Sequence, residues 1–273
     1  MITFPNCKIN LGLWITRKRP DDYHDIETVI FPIDWTDVLE IIPSSGTETE
    51  FTLTGNVIGG NPESNLCYKA WKLLHEKHAI PVVKMHLHKV IPIGAGLGGG
   101  SSDGSFALKM LNQLFDLHLT TTELQHFAAQ LGMDCPFFIE NSPALATGRG
   151  DVLKPININL RGYYLIMLVP GIHVSTSKAY SLVTPHERST TLENLLNHPL
   201  STWKTLMVND FEESVFTLFP KIKELKEMLY SKGALFASMS GSGSAVFGIF
   251  ERNPGMNEPK GCYMFQTLLG SDY

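Results

Sequence analysis

Cys7, Ile9, Leu11 and Leu13 alternate with Lys8, Asn10, Gly12 and Trp14. That period of two predicts a β-strand with one buried face. Lys8 and Asn10 then share the second face, where an edge strand commonly carries lysine into solvent. Residues 17–25 read as a turn, 27–33 and 38–42 as strands, and 34–37 as the turn joining them. Phe51, Leu53 and Val57 fall in a further strand region, closed by Gly59-Gly60-Asn61-Pro62. Ser64 or Asn65 caps a helix running through Ala79, with Leu66, Ala70, Leu73 and Leu74 at helical spacing. Val83, Met85, Leu87 and Lys89 alternate with Lys84, His86 and His88, which predicts a half-buried antiparallel strand.

From Phe106 through Leu108, Met110, Leu111, Leu114 and Phe115 the period becomes helical, ending at Asp116. Thr121 or Thr122 opens another helix over 124–131, stopped by Gly132. Asp134 just ahead of Pro136 has the form of a helix N-cap. Residues 144–151, with Gly148-Arg149-Gly150, read as a connection, and 153–160 carry no decisive pattern. Residues 163–169 form a buried strand, and Ser175, Thr176 and Ser177 open a helix containing Tyr180. Residues 190–198, 201–219 and 221–232 are helical, 236–243 are a glycine–serine turn, and Ala245 to Phe250 are an apolar strand. A loop follows at 255–259; the pattern after Arg252 specifies little else. Strands and helices without regular βαβ winding predict an α+β fold. The glycine–arginine link near Gly150 divides it into residues 1–150 and 151–273.

Composition narrows the function. The chain of 273 residues has 43% hydrophobic and 18% charged residues and a net charge of -5. A large globular core is expected, without the basic footprint of a nucleic-acid or acidic-lipid binder. Cys7, Cys67, Cys135 and Cys262 form no C-x-x-C pair, so free thiols in a reducing cytoplasm are expected, and no metal cluster. The apolar stretch at 163–169 is too short to span a membrane, and the N-terminus lacks the order of a signal peptide.

The chemistry concentrates in Pro92, Ile93, Gly94, Ala95, Gly96, Leu97, Gly98, Gly99, Gly100, Ser101, Ser102 and Asp103. Five glycines in seven positions let a ligand approach the backbone. The helix that follows offers unpaired N–H groups and a positive dipole end, a combination suited to phosphate. Gly94-x-Gly96-x-x-Gly99 matches the dinucleotide fingerprint by letters alone. That fingerprint needs a buried parallel strand before it and a ribose-binding acid ending a second strand, and neither is present. Ser101 stands where the other common phosphate loop needs lysine. Within the turn at 17–25, Tyr23 and His24 suit either stacking on a base and bonding its edge or anchoring the loop.

Lys8–Leu11 (KINL), Arg19–His24 (RPDDYH), Pro92–Asp103 (PIGAGLGGGSSD), Gly132–Phe138 (GMDCPFF) and Met239–Phe247 (MSGSGSAVF) together resemble the GHMP small-molecule kinases, in order and rough spacing, from about Phe4 to Phe250. The double-serine glycine loop marks the superfamily. The Tyr-His turn and triple glycine resemble the branch acting on a cytidine-diphosphate-linked methylerythritol; a homoserine or mevalonate acceptor is the alternative. Departures at Cys7, Asp22, Gly104, Ser105, Met133 and Cys135 remove no polar group used in chemistry. Outside the superfamily, a non-catalytic nucleotide-binding regulator is disfavoured by the presence of both Lys8 and Asp134.

The resemblance implies a ribosomal protein S5 domain 2-like N-terminal domain and a ferredoxin-like C-terminal domain, with a deep cleft between them. It implies ATP-dependent phosphorylation of the methylerythritol 2-hydroxyl in the non-mevalonate isoprenoid pathway, with Mg2+, in a cytoplasmic monomer or homodimer. By that match Asp134 is the base and Lys8 its partner. The loop 92–102 holds the ATP phosphates, Ser101 or Ser102 reaches the magnesium, and Asn65 and Lys89 lie near the nucleotide. Tyr23 and Tyr180 sandwich cytosine, His24 reads its edge, and Asn10 and Thr176 complete the substrate side.

Overall fold

The strand Val83–Lys89 shows most directly how the pattern became structure. In the computed structural model, which describes residues 1–56 and 61–270, the chain runs β1 (Ile2–Thr3), β2 (Asn6–Lys18), β3 (His24–Thr36), β4 (Val38–Pro43), β5 (Glu50–Gly55), α1 (Leu66–His78), β6 (Val83–Lys89), α2 (Gly99–Leu114), α3 (Thr121–Leu131) and α4 (Cys135–Glu140). It continues through β7 (Ala144–Thr147), β8 (Val152–Pro155), β9 (Tyr164–Pro170), α5 (Thr176–Ser181), α6 (Leu192–Leu195), α7 (Trp203–Leu206), α8 (Glu212–Leu218), α9 (Pro220–Ser231), β10 (Phe236–Met239), β11 (Val246–Phe250) and β12 (Cys262–Leu268). Buried and exposed residues alternate along all of β6. It is antiparallel to β4 and parallel to β5 in a sheet of order β1-β4-β6-β5.

The described residues divide into two units: Met1–Lys8, Pro32–Ile93 and Gly98–Ser142, and Ile9–Phe31, Gly94–Leu97 and Pro143–Tyr273. In the first, α1 to α4 cover one face of the β1-β4-β6-β5 sheet. Leu39, Ile41, Met85 and Leu87 meet Ala70, Leu74, Leu108, Leu111, Ala128 and Ile139 there. Each fully buried aliphatic side chain contributes about 1.5–3 kcal/mol. Asn65 caps α1 by accepting from Cys67 N–H, and Thr120 and Glu123 form a reciprocal capping box on α3. Gly104 lets α1 and α2 approach: a Cβ there would lie 2.8 Å from Leu66 Cβ. In the second unit, the antiparallel sheet β10-β11-β9-β12 packs on α9, with Ile222, Leu225 and Leu229 against Ile166, Leu168, Val246 and Phe250. A third sheet has the order β2-β3-β7-β8. The fold is α+β.

Several elements depart from the sequence pattern. Residues 6–15 of β2 are buried on both faces, so Lys8 and Asn10 are not on a solvated edge. Residues 34–36 continue β3, leaving only Asp37 between it and β4. Ala144–Thr147 is a strand, because it pairs with β3 on one side and β8 on the other. Helix α2 starts at Gly99, seven residues ahead of the first periodic apolar position, because residues 99–105 (GGSSDGS) carry no apolar side chain to set a period. Residues 201–219 break into α7 and α8, and 236–239 form β10 rather than a turn. Strands β1 and β12 had no counterpart in the sequence reading. Val57 and the Gly59-Gly60 break lie outside the described residues.

Candidate active site

Gly98, at φ 69°, is the N-cap of α2 and brings no side chain to its first turn, which holds no acidic residue. The first-turn amides of that 16-residue helix have no partner within it. A Cβ on Gly100 would meet nothing within 4 Å, so the backbone there is open to a ligand. Ser102 Oγ is buried without a hydrogen-bond partner in the same turn. An open, uncapped helix start with an orphaned hydroxyl fits a polyphosphate with its metal ion.

Upstream, Gly96 at φ 80° is required by close approach: a Cβ would stand 2.1 Å from Ser240 O. Ser240 Oγ donates to Gly96 O at 2.9 Å, and Ala245 N–H donates to Ala95 O at 3.0 Å. Asn209 stabilises that glycine–serine turn, with Nδ2 donating to Met239 O and Gly241 O, both at 2.8 Å. Gly94 faces His173; its Cβ would lie 3.0 Å from His173 Nδ1. Sequence reading singled out neither Asn209 nor His173, since single polar residues in loops carry no periodic signal, and covered Ser240 only within the Met239–Phe247 motif.

Lys8 is 4% exposed. Its stem runs past Gly98, where a Cβ would stand 3.1 Å from both Lys8 Cε and Phe138 Cζ. Its Nζ lies 3.6 Å from Asp134 Oδ2. Asp134 occupies the N-cap position of α4 but makes no side-chain cap bond, and its backbone is αR (φ -81°, ψ -13°). The capping expectation therefore fails. A capping side chain works from an extended backbone onto the N2 or N3 amide, and here N2 is Pro136, which has no N–H. With 44% of its side chain exposed, the Asp134 carboxylate is available to solute and is ion-paired with a buried lysine. A carboxylate so placed can take a proton from an alcohol.

In the second unit His24 stacks on Tyr180 at 5.1 Å and 23°, and Tyr180 meets Phe211 edge-on at 4.8 Å. Burial, then the Lys18 charge, lowers the His24 pKa, which favours the neutral imidazole. Tyr23 is 52% exposed and faces Arg149, whose guanidinium carbon is 5.4 Å from the ring centre. The turn that presents Tyr23 and His24 is tied by Arg19, paired with Asp25 at 2.8 Å and Asp21 at 3.2 Å. Thr176 Oγ1 hydrogen-bonds Ser242 Oγ at 3.0 Å. Asn10 is a buried brace: its Nδ2 donates to Thr28 Oγ1 at 2.9 Å, and its Oδ1 accepts from Ser240 Oγ at 3.4 Å. Asn65 is half-buried and engaged as the α1 cap. Lys89 is buried between Asp37 and Asp103.

The model of the GHMP kinases N terminal domain matches residues 65–141, and that of the GHMP kinases C terminal matches 191–255. The chain is 48% identical over 273 residues to a 4-diphosphocytidyl-2-C-methyl-D-erythritol kinase of Bacteroides fragilis, covering 98% of this chain and all of the relative. It is 52% identical over 255 residues to the protein of that name in Cytophaga hutchinsonii, covering 93% and 94%. A crystal structure of 4-(cytidine 5'-diphospho)-2C-methyl-D-erythritol kinase superposes with a TM-score of 0.79 at 32% identity, over 91% of this chain and 90% of that one. The mevalonate kinase of Methanococcus jannaschii shares the fold, with a TM-score of 0.70 at 14% identity over 97% of each chain.

Proposed function

The chain belongs to the GHMP kinases, and from that membership we propose that it transfers the γ-phosphoryl group of ATP to the 2-hydroxyl of 4-diphosphocytidyl-2-C-methyl-D-erythritol, a step toward isoprenoid precursors. The observation that carries the chemistry is the Lys8–Asp134 pair beside the uncapped start of α2. Asp134 accepts the hydroxyl proton as the new oxygen–phosphorus bond forms and the bond to the ADP oxygen breaks. Lys8 lies 3.6 Å from that carboxylate and offsets negative charge developing on the transferring group. The amides of the loop 92–102 hold phosphate oxygens in place, since phosphoryl transfer depends mainly on positioning and electrostatics. Mg2+ supplies charge neutralisation when bound, with the Ser102 hydroxyl as its contact in the protein.

Asn65 lies on the nucleotide side; Tyr23, Tyr180, His24 and Thr176 take the cytidine substrate. Asn10 supports that side through Thr28 and Ser240. We assign ATP binding to residues 1–150 and the C-terminal domain to 151–273, a division along the sequence that differs from the two structural units, in which Ile9–Phe31 and Gly94–Leu97 group with the C-terminal part. Among the described residues no helix is long and apolar enough to cross a membrane; the cytoplasmic placement is carried over from the family resemblance alone.

The test is phosphoryl transfer from ATP to the cytidine substrate, homoserine and mevalonate in parallel. Turnover on the cytidine substrate alone is expected; preference for either other acceptor overturns the assignment. Tyr180→Ala and Tyr23→Ala each remove a stacking face worth about 1–3 kcal/mol. Calorimetry should show roughly 5- to 150-fold weaker cytidine-substrate binding with ATP binding unchanged. Normal substrate binding by both variants would count against the aromatic site.

A further inference from the structure

The glycine loop leaves β6 after Lys89 and enters α2 at Gly99, and both ends meet one buried charge cluster. Asp37, Asp103 and Lys89 are 0%, 2% and 4% exposed. The Lys89 ammonium donates to Asp103 Oδ2 at 2.7 Å and to Asp37 Oδ2. Asp37 Oδ1 accepts from Val90 N–H at 2.6 Å and Ile91 N–H at 2.9 Å, the two residues that begin the loop. A Cβ on Gly99 would stand 3.3 Å from Lys89 Nζ, so the ammonium sits beneath the first residue of α2. The loop's entrance, through Asp37, and the second turn of the helix, through Asp103, are thus tied to one ammonium that lies close to the loop's exit at Gly99.

We propose that Asp37, Lys89 and Asp103 form a clasp that fixes the loop's backbone for the nucleotide. Lys89 then acts on ATP through the loop and is a positioning residue, as are the two aspartates. This rests on the nucleotide reading of the loop. For Lys89 to reach ATP directly it would have to abandon two buried carboxylates to each other, and breaking a buried ion pair in that way is strongly unfavourable. Although burial works against its charge, Asp103 and Asp37 together push the Lys89 pKa up. Lys89 therefore stays charged, while burial pushes the Asp103 carboxyl well above the usual carboxylate range.

The experiment is calorimetric binding of a non-hydrolysable ATP analogue, and separately of the cytidine substrate, to wild type, Asp103→Asn, Asp37→Asn and Gly98→Val. Melting temperatures are measured alongside. Asp103→Asn and Asp37→Asn should weaken the analogue roughly tenfold and leave the cytidine substrate unaffected; each also lowers the melting temperature, since it removes one partner of a buried ion pair, so binding is measured well below that temperature. If Lys89 touches the nucleotide itself, Asp103→Asn frees it, and analogue binding will be unchanged or tighter; that result overturns the clasp. Equal weakening of both ligands also overturns it, as the mark of general destabilisation. Gly98→Val separates the two readings. If it binds the analogue like wild type, the nucleotide reading of the loop fails and the clasp with it. If Gly98→Val loses binding while Asp103→Asn does not, only the clasp fails. Should Asp37→Asn not fold, Asp103→Asn decides alone, because it keeps Asp37's hold on Val90 and Ile91 and its pair with Lys89.

Discussion

Asp134→Asn should lower turnover by about 10²–10⁴-fold while ATP and the cytidine substrate still bind. Asparagine matches aspartate in shape and cannot take up the hydroxyl proton as a carboxylate does. The glycine loop and the aromatic residues are untouched, so the loss falls on kcat and not on the binding constants. Lys8→Ala also slows turnover. The double variant should cost less than the product of the two losses, because paired groups act as a unit. A capping role makes the opposite forecast, since asparagine caps a helix about as well as aspartate. The absence of a cap bond at α4 already weighs against it. Steady-state kinetics with both substrates saturating decides: turnover within a few-fold of wild type removes Asp134 from the chemistry.

Gly98→Val should weaken ATP on the order of 10²-fold, far more than it weakens the cytidine substrate. Two costs combine. Gly98 sits at φ 69°, where an L-residue costs about 1–2 kcal/mol and a β-branched one more. Its new Cβ would also press on Lys8 Cε and Phe138 Cζ at 3.1 Å, so either the loop or the lysine must shift. A shifted loop misaims the first amides of α2, each worth about 1.5–3 kcal/mol on a charged acceptor. Gly100→Ala is the internal control. Its Cβ meets nothing within 4 Å, and alanine favours a helix, so the fold should be undisturbed. Equal loss of affinity for both ligands in Gly98→Val would place the loop away from the nucleotide.

Much of this molecule was legible before any coordinates. The alternation of β6 gave its two faces correctly, because a sheet covered on one side leaves the other in water. The α1 cap, narrowed to Ser64 or Asn65 and found to be Asn65, and the end of α3 at Gly132 were readable because caps depend on local backbone donors and acceptors. The glycine loop was readable because Gly94, Gly96 and Gly98 take φ values of 70°, 80° and 69°, which few other residues tolerate. Helix α2 was placed too late, since a first turn of Gly-Gly-Ser-Ser buries no apolar stripe and leaves no period to find.

By itself, then, the sequence determined the local grammar: where strands alternate, where helices cap, and where the backbone opens to an anion. These are set by each residue's own sterics and by neighbours within a few positions. The tertiary structure alone decided the fate of the polar groups. An alternating strand declares two faces without saying what covers the second, so Lys8 and Asn10 looked solvated and are buried. Asp134 had the form of a cap until the backbone geometry released it to Lys8. Asp37, which looked like part of a turn, proved to hold Val90 and Ile91 from across 53 and 54 positions of chain. Burial and pairing depend on which distant residues remove the water, and that is fixed only when the strands and helices have packed.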